Sequence, residues 1–155
     1  DATLTQIDTI FLAQIKWSKE VQILGGLKDT GYRATGGDIM ASRRFLKDKP
    51  DIARRFLMAI SEGIHLSRTR KDLALRMLSR QLKEDDPRIL EAQYKSFVID
   101  SFPIKPYPDE VTVRFSLEEL EREFPAAKER NVGQFVDANF IKAIDQSGFI
   151  DKLYR

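Results

Sequence analysis

A chain of 155 residues, 42% of them hydrophobic and 32% charged, is one domain's worth of soluble globular protein and long enough to bury a core. It has no cysteine and one histidine, which excludes disulfides, thiolate metal sites, cysteine nucleophiles and any site built on two imidazoles. A net charge of +2 gives no reason to expect a nucleic-acid or membrane surface, no apolar run approaches the roughly 18 to 20 residues of a membrane span, and Asp1 opens without the basic-then-apolar pattern of a signal peptide.

The opening residues alternate between two periodicities. Asp1-Ala2-Thr3-Leu4-Thr5 reads as a strand already under way. Ile7 to Trp17 places apolar residues at 7, 10, 11 and 15, a helical spacing. Val21-Gln22-Ile23-Leu24 is a β-rich run closed by Gly25-Gly26, and Lys28 to Gly37 is loop-like, with Gly31, Tyr32, Gly36 and Gly37. Ile39-Met40-Ala41 then suits a strand near 37–41. Strand, helix, strand, loop, strand, helix predicts an α/β fold with a parallel or mixed sheet. Three strands, the first begun in mid-element, are too few to close such a sheet, so the chain reads as part of a larger protein.

From Ser42 onward the expectation is helical. A short helix spans Ser42 to Lys49, and Pro50 opens a longer one over 50–69, since its missing N–H has no intrahelical partner in a first turn. Ile52, Phe56, Ile60 and Ile64, flanked by Ala53 and Leu57, form its expected buried face. A helix over 71–83 follows, with Leu73, Leu75, Met77, Leu78 and Leu82 mainly on one side. Asp85 or Asp86 caps the next, over 87–102, with Leu90, Tyr94, Phe97 and Val98 as its stripe. Pro103, Pro106 and Pro108 make Phe102 to Pro108 an extended linker. Val113, Leu117, Leu120 and Phe124 mark a helix over 110–124, and Asp137 caps a last one over 138–146. Gly148 suits its C-terminal stop, and Phe149-Ile150 and Leu153-Tyr154 dock the tail.

Charge divides the chain. Arg43 to Lys83 holds twelve Lys/Arg against four Asp/Glu, and Glu84 to Glu123 holds eleven Asp/Glu against five Lys/Arg. The basic half is either a phosphate-binding surface or a set of solvated helix faces. The second reading is preferred, because its arginines fall opposite the apolar stripes with no aromatic residues between them. Catalytic patterns are absent: His65 lies beside Ile64 and Leu66 on a helix, and Asp85/Asp86 and Glu118/Glu119 sit at a cap or on an exposed face rather than around a substrate. Gly25-Gly26 and Gly36-Gly37 lack the contexts of nucleotide loops and read as turn glycines.

Three stretches carry a resemblance: Asp1-Ala2-Thr3-Leu4, then GYRATGGDIMASRRFLKDKPDIARRFLMAISEGI, then QFVDANFIKAIDQSGFIDKLY. Together they resemble the closing half of the solute-binding proteins of ABC importers of the nitrate, taurine, aliphatic-sulfonate and thiamine-pyrimidine type. The resemblance spans nearly the whole chain, and the tail is its more specific part. It implies part of a type II periplasmic-binding-protein fold, two lobes that close on a ligand by hinge motion. On that reading, residues 1–36 end the second lobe and approach the hinge, and 37–155 supply the returning strand and C-terminal helices of the first.

The resemblance implies a binding protein rather than an enzyme, with no cofactor and no bound metal, periplasmic or anchored outside the membrane. Its partners would be a small-molecule solute, a membrane permease and the N-terminal portion of the same protein, not nucleic acid. Ligand sites in open α/β sheets lie at the carboxyl ends of strands. Two places qualify here: Thr3, Leu4, Thr5 and Gln6, where the first strand gives way to a helix, and Tyr32, Thr35 and Gly36, before the returning strand. Hydroxyls, a side-chain amide, backbone N–H groups and an aromatic face suit a small polar or heteroaromatic ligand. The same superfamily includes a pyrimidine-synthesising enzyme, decarboxylase-like proteins and effector-sensing domains of transcription regulators, which are the alternatives.

Overall fold

Prolines and short polar side chains set where the helices begin. In the computed structural model, which describes Leu24, Gly25, Gly31 and residues 38–155, Pro50 opens one helix and Pro87 another. The strand expected over 1–5, the helix over 7–17, all but Leu24 of the strand over 21–24 and most of the loop before Gly37 lie outside the described residues. Asp38 to Ala41 forms no strand. All four residues are exposed and none pairs with another strand among the described residues, so the apolar run lacks the ladder that a strand needs.

The helices, in chain order, are α1 (Arg43–Asp48), α2 (Pro50–Thr69), α3 (Lys71–Leu82), α4 (Pro87–Gln93), α5 (Glu110–Leu120), α6 (Asn139–Gln146) and α7 (Phe149–Leu153). A π-helical stretch, Tyr94–Ser101, continues α4 directly, and two short 3₁₀ turns, Pro125–Glu129 and Val132–Gln134, follow α5. The described part of the chain is therefore helix-rich, as expected from Ser42 onward. Caps explain the boundaries. Ser42 Oγ accepts from the Phe45 N–H, Asp86 Oδ1 from Arg88, and Asp109 Oδ1 from Val111 and Thr112, each satisfying a first-turn donor that has no carbonyl to meet. Asp137 does the same for Asn139, and Gly148 takes the left-handed conformation at φ 73° that ends α6.

The chain divides into two compact units. In the first, the described residues 61–104 bring α3 against α4 and the π-helical stretch. Ala74, Tyr94 and Val98 are buried together, with Leu75 and Leu78 packed on them. The Arg68 guanidinium reaches the last carbonyls of the π-helical stretch, donating to Val98 and Phe102 at 2.8 Å each and to Ile99 at 3.2 Å. Lys71 bonds Glu91 at 2.7 Å and lies 5.4 Å from the centre of the Tyr94 ring.

In the second unit, residues 38–60 and 105–155, the core is C-terminal. Ile141, Ile144 and Ile150 are buried across the α6–α7 turn, with Leu57 and Met58 of α2 and Phe149 and Tyr154 against them. The docked tail thus forms as the sequence implies.

Three expectations about faces need correction. Ile52 and Phe56 are 44% and 51% exposed, and the buried positions of α2 are Ala53, Ser61 and Ile64, with Leu57 between them. The stripe 52-56-60-64 advances four residues at each step, which turns about 40° each time on a helix of 3.6 residues per turn, so it slides off the inner face. In α3 the inward residues are Ala74, Leu75 and Leu78, while Met77 and Leu82 face out. In the following helix Phe97 is on the outer side, and Ile89 is buried beside Leu90, Tyr94 and Val98. Finally, α5 stops at Leu120 rather than 124. Its chain tightens there, with Arg122 and Glu123 donating three residues back, to Glu119 and Leu120, and Phe124 is left exposed.

Candidate functional site

Thr3, Leu4, Thr5, Gln6, Tyr32, Thr35 and Gly36 all lie outside the described residues. Gly31, beside the second group, is in a turn with φ 76°, a conformation that favours glycine. The described residues offer two other polar constellations, both within the second compact unit.

The larger is a groove of about 450 Å³ between α5 and the chain that follows it. Asp109 starts α5, and its turns carry Arg114, Glu118 and Glu121 along one face at i, i+4 and i+7. The opposite wall is the run Lys128-Glu129-Arg130 at the end of the Pro125–Glu129 turn. Its course is fixed by a capping box: Asn131 Oδ1 accepts from the Gly133 N–H at 2.8 Å, and Gln134 Oε1 from the Asn131 N–H at 3.1 Å. The Arg43 side chain donates to the Gln134 carbonyl at 2.8 Å. Leu117 and the buried Val132 supply the apolar part of the lining. Among the described residues, no side-chain hydrogen bond or ion pair ties any of the six charged groups to a neighbour.

The second constellation joins the linker to the C-terminal helices. Lys105 Nζ lies 2.7 Å from Asp145 Oδ1 on α6 and 3.0 Å from Asp151 Oδ1 on α7, and the Tyr107 hydroxyl donates to Asp145 Oδ2 at 2.9 Å. The two carboxylates push the Lys105 ammonium up to about 12. The Lys105 and Tyr107 donors hold the Asp145 carboxyl below its usual range, and accepting from the phenol raises Tyr107. All four groups are engaged with one another, which makes this a clamp rather than an open site.

His65 lies half-buried on α2, as its sequence neighbours imply, and Asp86 serves as a cap with its pKa drawn down to about 2 by Arg88. Among the described residues no group of three His, Cys, Asp or Glu side chains is placed to hold a metal ion. Likewise, no helix among them is long and apolar enough to cross a membrane. The sequence does carry the signal for the groove's α5 wall, in the spacing of Arg114, Glu118 and Glu121. What it does not carry is the early end of α5, which brings Lys128 to Arg130 back alongside. No protein-family model, curated protein or solved structure matches this chain.

Proposed function

We propose that this chain is the C-terminal portion of the solute-binding component of an ABC importer, which captures a small polar or heteroaromatic solute between two lobes and delivers it to a membrane permease. The observation that carries this reading is the tail. Its sequence, FVDANFIKAIDQSGFIDKLY, resembles the family's closing segment, and the residues that a docked tail requires are the ones buried: Ile141, Ile144 and Ile150, turned back by Gly148 in a left-handed conformation. The helix-rich run from Arg43 to Leu120 is also what the C-terminal part of a first lobe would contribute. On this reading the protein works outside the cytoplasmic membrane, and the residues before Gly37 belong to the other lobe.

The ligand would meet Thr3 to Gln6 on one side and Tyr32, Thr35 and Gly36 on the other, with Gly36-Gly37 as the strand that flexes on closure. A cleft lacking part of its walls loses contacts and the water exclusion that strengthens polar ones. Calorimetry against nitrate, sulfonates, taurine, pyrimidines and small aromatic acids tests this, using the chain alone and joined to the rest of a two-lobed protein. The joined protein is expected to bind one of these and the chain alone to bind weakly or not at all. Tight binding by the chain alone overturns the divided cleft, and no binding by the joined protein overturns the function. Tyr32→Ala is expected to weaken binding while changing stability by less than about 1 kcal/mol.

A further inference from the structure

We infer that the groove between α5 and Lys128–Arg130 binds a small zwitterion with an aliphatic body, such as an α-amino acid, at a site separate from the residues assigned to the importer ligand. Its charges are the first argument. Arg114, Lys128 and Arg130 bring three positive groups to one concave surface, and Glu118, Glu121 and Glu129 bring three negative ones. The surface is neutral in sum, so a simple anion or cation meets as many repelling groups as attracting ones. A molecule that carries both signs a few ångströms apart can place each against its opposite.

These groups would ordinarily neutralise one another. Arg114 and Glu118 stand four residues apart on one helix, the spacing at which surface ion pairs form, yet they are not paired. Their order, with the cation N-terminal, is the weaker one for such a pair. Across the groove, Lys128 and Glu129 are held in a 3₁₀ turn that Pro125 opens, and the capping box at Asn131 fixes the chain leaving it. Among the described residues no ion pair joins these groups, so a bound molecule gains pairings that the walls do not make among themselves.

The apolar part of the lining and the size set the rest of the ligand. Leu117 and Val132 offer an aliphatic surface between the charged walls, and about 450 Å³ accommodates an amino acid with room for water. Because Arg114, Glu118, Lys128, Glu129 and Arg130 are exposed and Glu121 is half-buried, each pairing contributes modestly, and binding falls as salt is added.

The test is an NMR titration of the ¹⁵N-labelled chain with L-leucine, with isocaproate, which lacks the ammonium, and with isoamylamine, which lacks the carboxylate. L-leucine is expected to shift the amides of Leu117, Asn131 and Val132 saturably, and the two singly charged analogues to bind about three- to fivefold more weakly. Arg114→Gln and Glu121→Gln are each expected to weaken L-leucine binding by a similar factor and to leave the unfolding midpoint unchanged. Equal shifts from all three probes, or no saturable shift from L-leucine, overturn the proposal. Shifts confined to residues outside the groove overturn it as well. The location of the shifts separates this outcome from that of the importer reading, whose contact residues precede Gly37.

Discussion

The two compact units are closed by different means. Within residues 61–104, side chains bond backbone: Arg68 satisfies three carbonyls at the end of a helix, and Lys71 joins Glu91 beside the Tyr94 ring. Around the C-terminal turn, isoleucines do the work, with Ile150 at 0% and Ile144 at 1% exposure. Apolar burial scales with area removed from water, whereas a polar cap adds little net energy and costs much when it is removed. The first unit, which also buries Ala74, Ile89, Tyr94 and Val98, should therefore be sensitive at Arg68 as well as in its core, and the second chiefly across its isoleucine cluster.

Ile144→Ala is the most severe test of that contrast. It leaves a cavity in a closed core and is expected to cost about 2 to 5 kcal/mol, read from the urea midpoint. A loss typical of a surface site would show that the α6–α7 turn is not a core. Arg68→Ala is expected to cost about 1 to 3 kcal/mol, because the carbonyls at the end of the π-helical stretch lose their donor. Hydrogen exchange should then accelerate in residues 94–101 ahead of residues 139–153, and the reverse order would break the comparison. Phe56→Ala, on the outer face of α2, is expected to change stability of the chain by less than about 1 kcal/mol. A larger loss would place Phe56 in a core.

The smallest effects are electrostatic. Asp86 and Asp145 titrate below the ordinary 3.8, so the stability they add is whole above that pH and is lost as pH falls through their folded values, about 2 for Asp86. Lys105 is the opposite case: its contribution is whole below 10.5 and is lost as pH rises through about 12. Asp145→Asn should flatten both ends of the melting-temperature profile slightly. An unchanged profile would show that the clamp at Lys105 and Tyr107 adds nothing.

Most helix boundaries after Ser42 were legible because Pro50, Pro87, Asp86 and Gly148 each act on the backbone locally, whereas the Asp109 cap of α5 went unread. Faces were less legible. Ser61 and Gln93 are almost fully buried although polar, and Ile52 and Phe56 are exposed although apolar, so hydrophobicity alone misassigned the inner face of α2. The strand at Ile39-Met40-Ala41 failed for a related reason, since β structure depends on a partner that local sequence does not specify. For the site, the ligand residues read from sequence fall before Gly37, outside the described residues. The groove depends on how residues 121–130 fold back, which periodicity does not encode.

The π-helical stretch has a mechanical consequence. Its carbonyls reach five residues ahead instead of four, so Tyr94–Ser101 winds more chain into each turn than an α-helix of the same length along its axis. The stretch is a spool holding slack, and Arg68 is the pin at its end. Rewinding it to α spacing would lengthen the rod and swing Phe102 about its axis by about 100° for each residue released. Pro103, which cannot join the ladder, sets the limit of that rewinding.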